Sequence, residues 1–236
     1  MERPEFATAL QRLRSDSGGV IDEGGSVANI TVEGLLTQSR VALVLQEIQN
    51  GIVGDAPTFP ALAEAAAAVG VIPNAIRLAR AARIAGAPVI HATADSLPGA
   101  FGANQNARLF AAARRDGAEN AHRNDSVLPV AGLYAEGDLV LPRYHGLSPM
   151  TGTPLDSLLR NAGVTTIVVA GVSLNIAIPN LVFDAINRAY QVVVVTDAVA
   201  GIPVEYGVSL LRHSLALLAT LATTDEVVAA WQALLA

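Results

Sequence analysis

Three short polar stretches carry the residues of this chain whose types and spacing could do chemistry. They are Gln46-Glu47-Ile48-Gln49-Asn50, Pro142-Arg143-Tyr144-His145 and Gly171-Val172-Ser173-Leu174-Asn175. Glu47 is a carboxylate placed directly after the apolar run Val41-Ala42-Leu43-Val44-Leu45. Buried there, it can hold its proton and serve as a general acid or base, or it can only pair with a cation. Arg143 can grip an anionic substrate through two parallel bonds, or only neutralise Glu47. An adjacent guanidinium works against a protonated carboxyl, because a nearby cation lowers its pKa. As a general acid or base His145 would suit neutral pH, although a single loop histidine is more often a hydrogen-bonded surface residue. Gln46, Gln49 and Asn50 are candidates to line a pocket. Asn175 can cap the helix that begins there, which is favoured over ligand contact.

Other chemistries are excluded or disfavoured. The chain has no cysteine, so disulfides, thiolate metal sites and thiol catalysis are all removed. The four histidines lack metal-site spacing such as His-x-x-x-His. His91 sits inside a strand-like run and reads as a satisfied core histidine, and His122 and His213 read as surface residues. No metal or cofactor is expected.

The elements that must position these residues alternate in kind. Apolar, β-branched runs at 41–45, 88–92, 139–141, 166–170 and 191–196 read as strands buried on both faces. Between them, Ala/Leu/Arg-rich stretches at helical period cover 60–69, 73–85, 104–115, 154–162, 175–189, 204–221 and 225–235. This alternation predicts an α/β fold, a three-layer α/β/α sandwich around a mostly parallel, Rossmann-like sheet. Ligands bind such sheets at the carboxyl ends of the strands, which selects the same three polar stretches. The segment 99–106, Gly-Ala-Phe-Gly-Ala-Asn-Gln-Asn, can form a lid, with Phe101 and Phe110 as aromatic contacts or as core packing. Trp231 is expected to dock the C-terminal helix. Residues 1–39 read as an N-terminal extension, with a helix over 5–14 and a Gly/Ser/Asp-rich loop over 15–26, packed on the domain (40–236) or on a neighbouring subunit.

Composition agrees with one domain of this kind. The chain has 236 residues, 52% hydrophobic and 15% charged, with formal net charge −6. That supplies a large core and is far from a disordered composition. No Lys/Arg-rich run is present, so nucleic acid is not an expected partner. No apolar stretch approaches the roughly 20 residues of a membrane span. The charged start Met1-Glu2-Arg3-Pro4-Glu5 does not read as a signal peptide, and a cytoplasmic protein is expected.

Four ordered segments resemble one family. Val41 to Gly51 resembles the first strand of the isochorismatase-like (cysteine) hydrolases, which ends in an Asp-Met-Gln-Asn type sequence. Ser148-Pro-Met-Thr-Gly-Thr-Pro-Leu-Asp156 resembles their Ser-Ala-Phe, Gly-Thr, Leu segment. Gly171 to Ile178 resembles their Gly-Val-x-Thr-Asn-x-Cys-Val motif, and Gln191 to Ala200 the strand and turn that follow. The resemblance implies an Asp-Lys-Cys triad, here carried by Glu47, a residue at or beside Arg143, and Ala177. It implies a cis Val172–Ser173 bond shaping an oxyanion pocket, a small-molecule substrate, and self-association as a homodimer or homotetramer. Arg stays protonated and cannot share protons as Lys does, and Ala offers no nucleophile. The usual covalent amidase cycle is therefore not expected. Family members that act on a vinyl ether are implied to use the carboxylate as general acid without a thiol. Three readings stand: a thiol-free hydrolase with Glu47 as acid/base and Arg143 as anchor; a catalytically inactive small-molecule-binding or oligomeric structural member; and a recently inactivated cysteine hydrolase.

Overall fold

The computed structural model describes residues 19–21, 27–29, 31–55, 57–112 and 125–235. Strands β1 (Gly19–Ile21) and β2 (Val27–Asn29) pair antiparallel. Helix α1 (Val32–Gln38) precedes β3 (Val41–Gln46), α2 (Asn50–Val53), α3 (Pro60–Val69), α4 (Val71–Ile84), β4 (Val89–Ala94) and β5 (Leu139–Arg143). Then follow α5 (Leu155–Asn161), β6 (Thr166–Val172), α6 (Ala177–Asn187), β7 (Gln191–Ala200), α7 (Val204–His213), β8 (Thr220–Ala222) and α8 (Thr224–Ala233).

The central sheet has six strands in the order β5-β4-β3-β6-β7-β8, all paired parallel. Its inner strands are apolar on both faces because both faces are covered. Along β3, Val41, Leu43 and Leu45 join one core with residues of α1, α3, α4 and α8. Ala42 and Val44 join a second core with residues of α5, α6 and α7. The chain starts the sheet at β3, builds outward through β4 and β5, then returns to build β6, β7 and β8 on the other side. That reversal opens a crevice at the carboxyl ends of β3 and β6, where open α/β sheets bind ligands.

Several expectations need correction. β5 is not buried on both faces: it is an edge strand, with Leu139 41% and Val140 38% exposed. The helix expected over 204–221 ends at His213, and Thr220–Ala222 forms the opposite edge strand. An apolar Leu/Ala run of that length reads as helix, and the pairing of three residues with β7 leaves no local signal. In the stretch read as extension, Gly19–Ile21 is strand rather than loop. There too lies α1, capped by the Thr31 side chain, with Leu35 and Leu36 in the core. The expected helix at 5–14, residues 113–115 and His122 lie outside the described residues. Helices α3 and α4 meet at Gly70 with a 60° bend, and among the described residues no single helix is long and apolar enough to cross a membrane.

Candidate active site

Glu47 is the first residue past β3. Its N–H donates to the Ala92 carbonyl at 2.8 Å, so the ladder with β4 extends one residue beyond the strand. Its φ is 55°, a left-handed conformation uncommon in a residue with a Cβ. The side chain is 13% exposed. Arg143, at the end of β5, reaches across the end of β4 and donates from Nη2 to Glu47 Oε1. The same oxygen accepts from Gln46 Nε2 at 2.9 Å. Arg143 Nη1 donates to the Gly146 carbonyl and, at 3.5 Å, to that of His145.

Two polar atoms of this cluster are buried without a partner among the described residues, Gln46 Oε1 and Arg143 Nε. Glu47 Oε2 accepts no hydrogen bond among them. Burial raises the Glu47 carboxyl above its ordinary value, and this outweighs the Arg143 charge and the bonds from Arg143 and Gln46, which lower it. A buried carboxyl with a raised pKa beside a cation is a group suited to proton transfer.

The third stretch is built by β6. Gly171 has φ 125°, and a Cβ there would run into the Gln46 carbonyl. Only glycine lets β6 pass this close to β3. Val172–Ser173 is a cis peptide bond, as the resemblance implied. Leu174 N–H then donates to the Ala200 carbonyl at 2.7 Å, and the Ser173 carbonyl accepts from Ile176 at 3.2 Å and Ile178 at 3.0 Å. This brings Ala177, 6% exposed, to the first turn of α6.

Among the other candidates, Gln49 spends its amide on structure. Its Nε2 donates to the carbonyls of Ala94 and Ser126, and its Oε1 accepts from Ala94 N–H at 2.7 Å. Asn50 donates to the Asp125 carbonyl at 3.1 Å. His145 is exposed, its ring lying against Gly152. Asn175 does not cap α6, which starts two residues later behind Ile176. Its amide instead brackets Ile202, accepting from its N–H at 2.8 Å and donating to its carbonyl at 2.6 Å. Val172 is buried and Ser173 half-buried.

His91 is 2% exposed and bonds Asp138 at 2.8 Å, as a satisfied core histidine should. Sequence reasoning missed Asp138. It takes both Arg83 Nε (2.9 Å) and Nη2 (2.6 Å), with Ala135 N–H at 3.1 Å. Also missed was Asn104, whose Oδ1 accepts from Gly146 N–H at 2.6 Å. Both sit in turn-like sequence, where Asp and Asn are common for local reasons.

Comparison with known proteins bears on the fold. The model of the isochorismatase domain family matches residues 41–226. An isochorismatase family protein from Burkholderia thailandensis is 27% identical, with TM-score 0.66 over 82% of this chain and 96% of that one. N-carbamoylsarcosine amidase from Thermoplasma acidophilum shares the fold at 23% identity, with TM-score 0.58 over 79% of this chain and 97% of that one. Ureidoacrylate amidohydrolase RutB of Methylobacterium radiotolerans is 42% identical over 64 residues, 26% of this chain. That match spans only 24% of the relative's length. With the family model covering most of the sequence and the same α/β fold in the solved relatives, this chain belongs to the isochorismatase-like hydrolase family.

Proposed function

We propose that this chain is a thiol-independent hydrolase of its family that acts on a small anionic molecule, with Glu47 as acid/base and Arg143 as anchor. The observation that carries this reading is the Glu47 carboxyl. Oε1 is held by Arg143 and Gln46 while Oε2 accepts no bond among the described residues, and burial favours the protonated form. Arg143 Nε, buried and unpartnered, is the donor left for a substrate oxyanion.

Vinyl-ether hydrolysis suits these groups. Glu47 would deliver its proton to the terminal vinyl carbon, leaving an oxocarbenium carbon. Water adds there and returns one proton to Glu47; the hydroxyl proton of the adduct passes to the departing alcohol's oxygen as the carbon–oxygen bond breaks, leaving a carbonyl. The enzyme supplies one proton and recovers it, so no nucleophilic side chain is needed. With no cysteine in the chain, the thiol-dependent amide chemistry of the relatives is not proposed for this chain.

The Glu47–Arg143 ion pair favours a second reading. If each charge serves only to neutralise the other, the chain is a non-catalytic binding or structural member. Steady-state assays on carboxylated vinyl ethers and on amides separate the two. The first reading expects vinyl-ether turnover that Glu47→Gln lowers by about 10²–10⁴-fold. Binding without turnover in the wild type establishes the second. Self-association as a homodimer or homotetramer is proposed with either reading, and sedimentation of the full chain tests it.

A further inference from the structure

The loop that follows β4 is tied at both ends to the strand end that carries Arg143. At its start, Asp95 N–H donates to the Arg143 carbonyl at 3.0 Å. At its finish, Asn104 Oδ1 accepts from Gly146 N–H at 2.6 Å, and the Gly146 carbonyl holds the Arg143 guanidinium. Between these ties the chain makes one 3-10 turn, Pro98–Ala100. Gly99, Ala100 and Gly102 all have left-handed φ, at 65°, 54° and 74°.

Phe101 stands at the tip, between the two glycines. It is 78% exposed, the most exposed large apolar side chain among the described residues. A lone exposed apolar residue is ordinary on a protein surface. This one differs in its mounting. Its loop is anchored on the cation's own strand end, sits at the carboxyl end of the strand between Glu47 and Arg143, and is flanked by glycines. A Cβ added at Gly99 or Gly102 would meet nothing within 4 Å, so the glycines answer to backbone conformation rather than crowding, and the loop has open space around it.

We propose that Phe101 is a specificity-determining residue that folds its ring onto the flat apolar body of a carboxylate held at Arg143. This inference rests on the reading of Arg143 as anchor. The ligand class is then a carboxylate attached to an aromatic or similarly flat apolar group. The ring contact adds to the charged one because aromatic faces and edges pack favourably and leave water together.

Benzoate and acetate are the probes, titrated into the full chain by calorimetry or ligand-observed NMR. The wild type should bind benzoate about tenfold tighter than acetate. Phe101→Ala, an exposed substitution that leaves the core untouched, should erase that preference and leave acetate unchanged. Arg143→Met should lose both ligands. If Phe101→Ala keeps the benzoate preference while Arg143→Met abolishes binding, the role of Phe101 is overturned and the anchor survives. If Arg143→Met binds both as the wild type does, or the wild type binds neither, the anchor reading falls and this inference with it. Phe101→Trp gives a second readout, because Trp231 is the only native tryptophan and is 1% exposed. Benzoate should shift the new emission to the blue and acetate should not; an unshifted spectrum at saturating benzoate overturns the closure.

Discussion

Glu47 sets burial against its ion pair with Arg143, and burial prevails. The consequence for stability has a definite sign. A carboxyl whose folded pKa lies above its ordinary 4.5 favours the folded state fully below that value. This contribution is lost as pH rises through the folded pKa. Glu47→Gln is neutral at every pH and lacks that slope. Urea midpoints across a pH series should therefore show the variant gaining on the wild type as pH rises above 4.5; a gap that stays constant contradicts the raised carboxyl. Ala177 gives a second expectation. Ala177→Cys places the only thiol of the chain in the first turn of α6, where a helix N-terminus favours the thiolate. Amide turnover should still be absent, since an arginine cannot relay a proton as a lysine does. An amidase assay on the single variant checks this, and turnover would mean another group shuttles the proton.

At the scale of elements, β5 is the weak member of the sheet and it carries Arg143. Among the described residues it pairs only with β4, and what braces its start is Asp138, bonded to Arg83 from α4 and His91 from β4. Burial lowers the His91 pKa from its ordinary 6.5, outweighing the Asp138 contacts that raise it. The unfolded chain then binds a proton there more readily, so stability falls as pH drops through 6.5. The bonds from Arg83 and His91 hold the Asp138 carboxyl below its ordinary value despite burial, so its own contribution is lost only as pH falls further, through that lowered value. His91→Gln keeps a side-chain donor for Asp138 without titrating. Its urea midpoints should stay flat where the wild type first declines; a variant that tracks the wild type removes His91 as the cause. This brace was not legible in the sequence, because Glu136-Gly137-Asp138 reads as a turn. The Glu47 and Gly171 loops were legible, since each directly follows an apolar run and strand ends are where such sheets bind ligands. The role of Gln49 was hidden because its partners are backbone atoms 45 and 77 residues away, and backbone atoms have no sequence signature. β8 was hidden because an edge strand of three residues is defined by its neighbour alone.

At the scale of the molecule, one sheet separates two apolar cores, and its inner strands contribute to both. Trp231 lies in the core beneath α1, α4 and α8. Its helix starts with a capping box between Thr223 and Glu226, which fixes the first turn without help from packing. Leu181, fully buried on α6, lies in the opposite core. Each side's side chains alternate along the same strands, so losing either layer exposes residues whose neighbours hold the other. Unfolding should then be one transition, with tryptophan emission, which senses one face, and far-UV circular dichroism, which senses both, sharing a urea midpoint. Leu181→Ala sharpens the test. It should cost about 2–5 kcal/mol through lost contacts and a cavity, and should move the tryptophan midpoint as far as the dichroism midpoint although the deletion lies across the sheet. A tryptophan midpoint that stays in place while dichroism shifts would show two layers, one on each face of the sheet, that open independently.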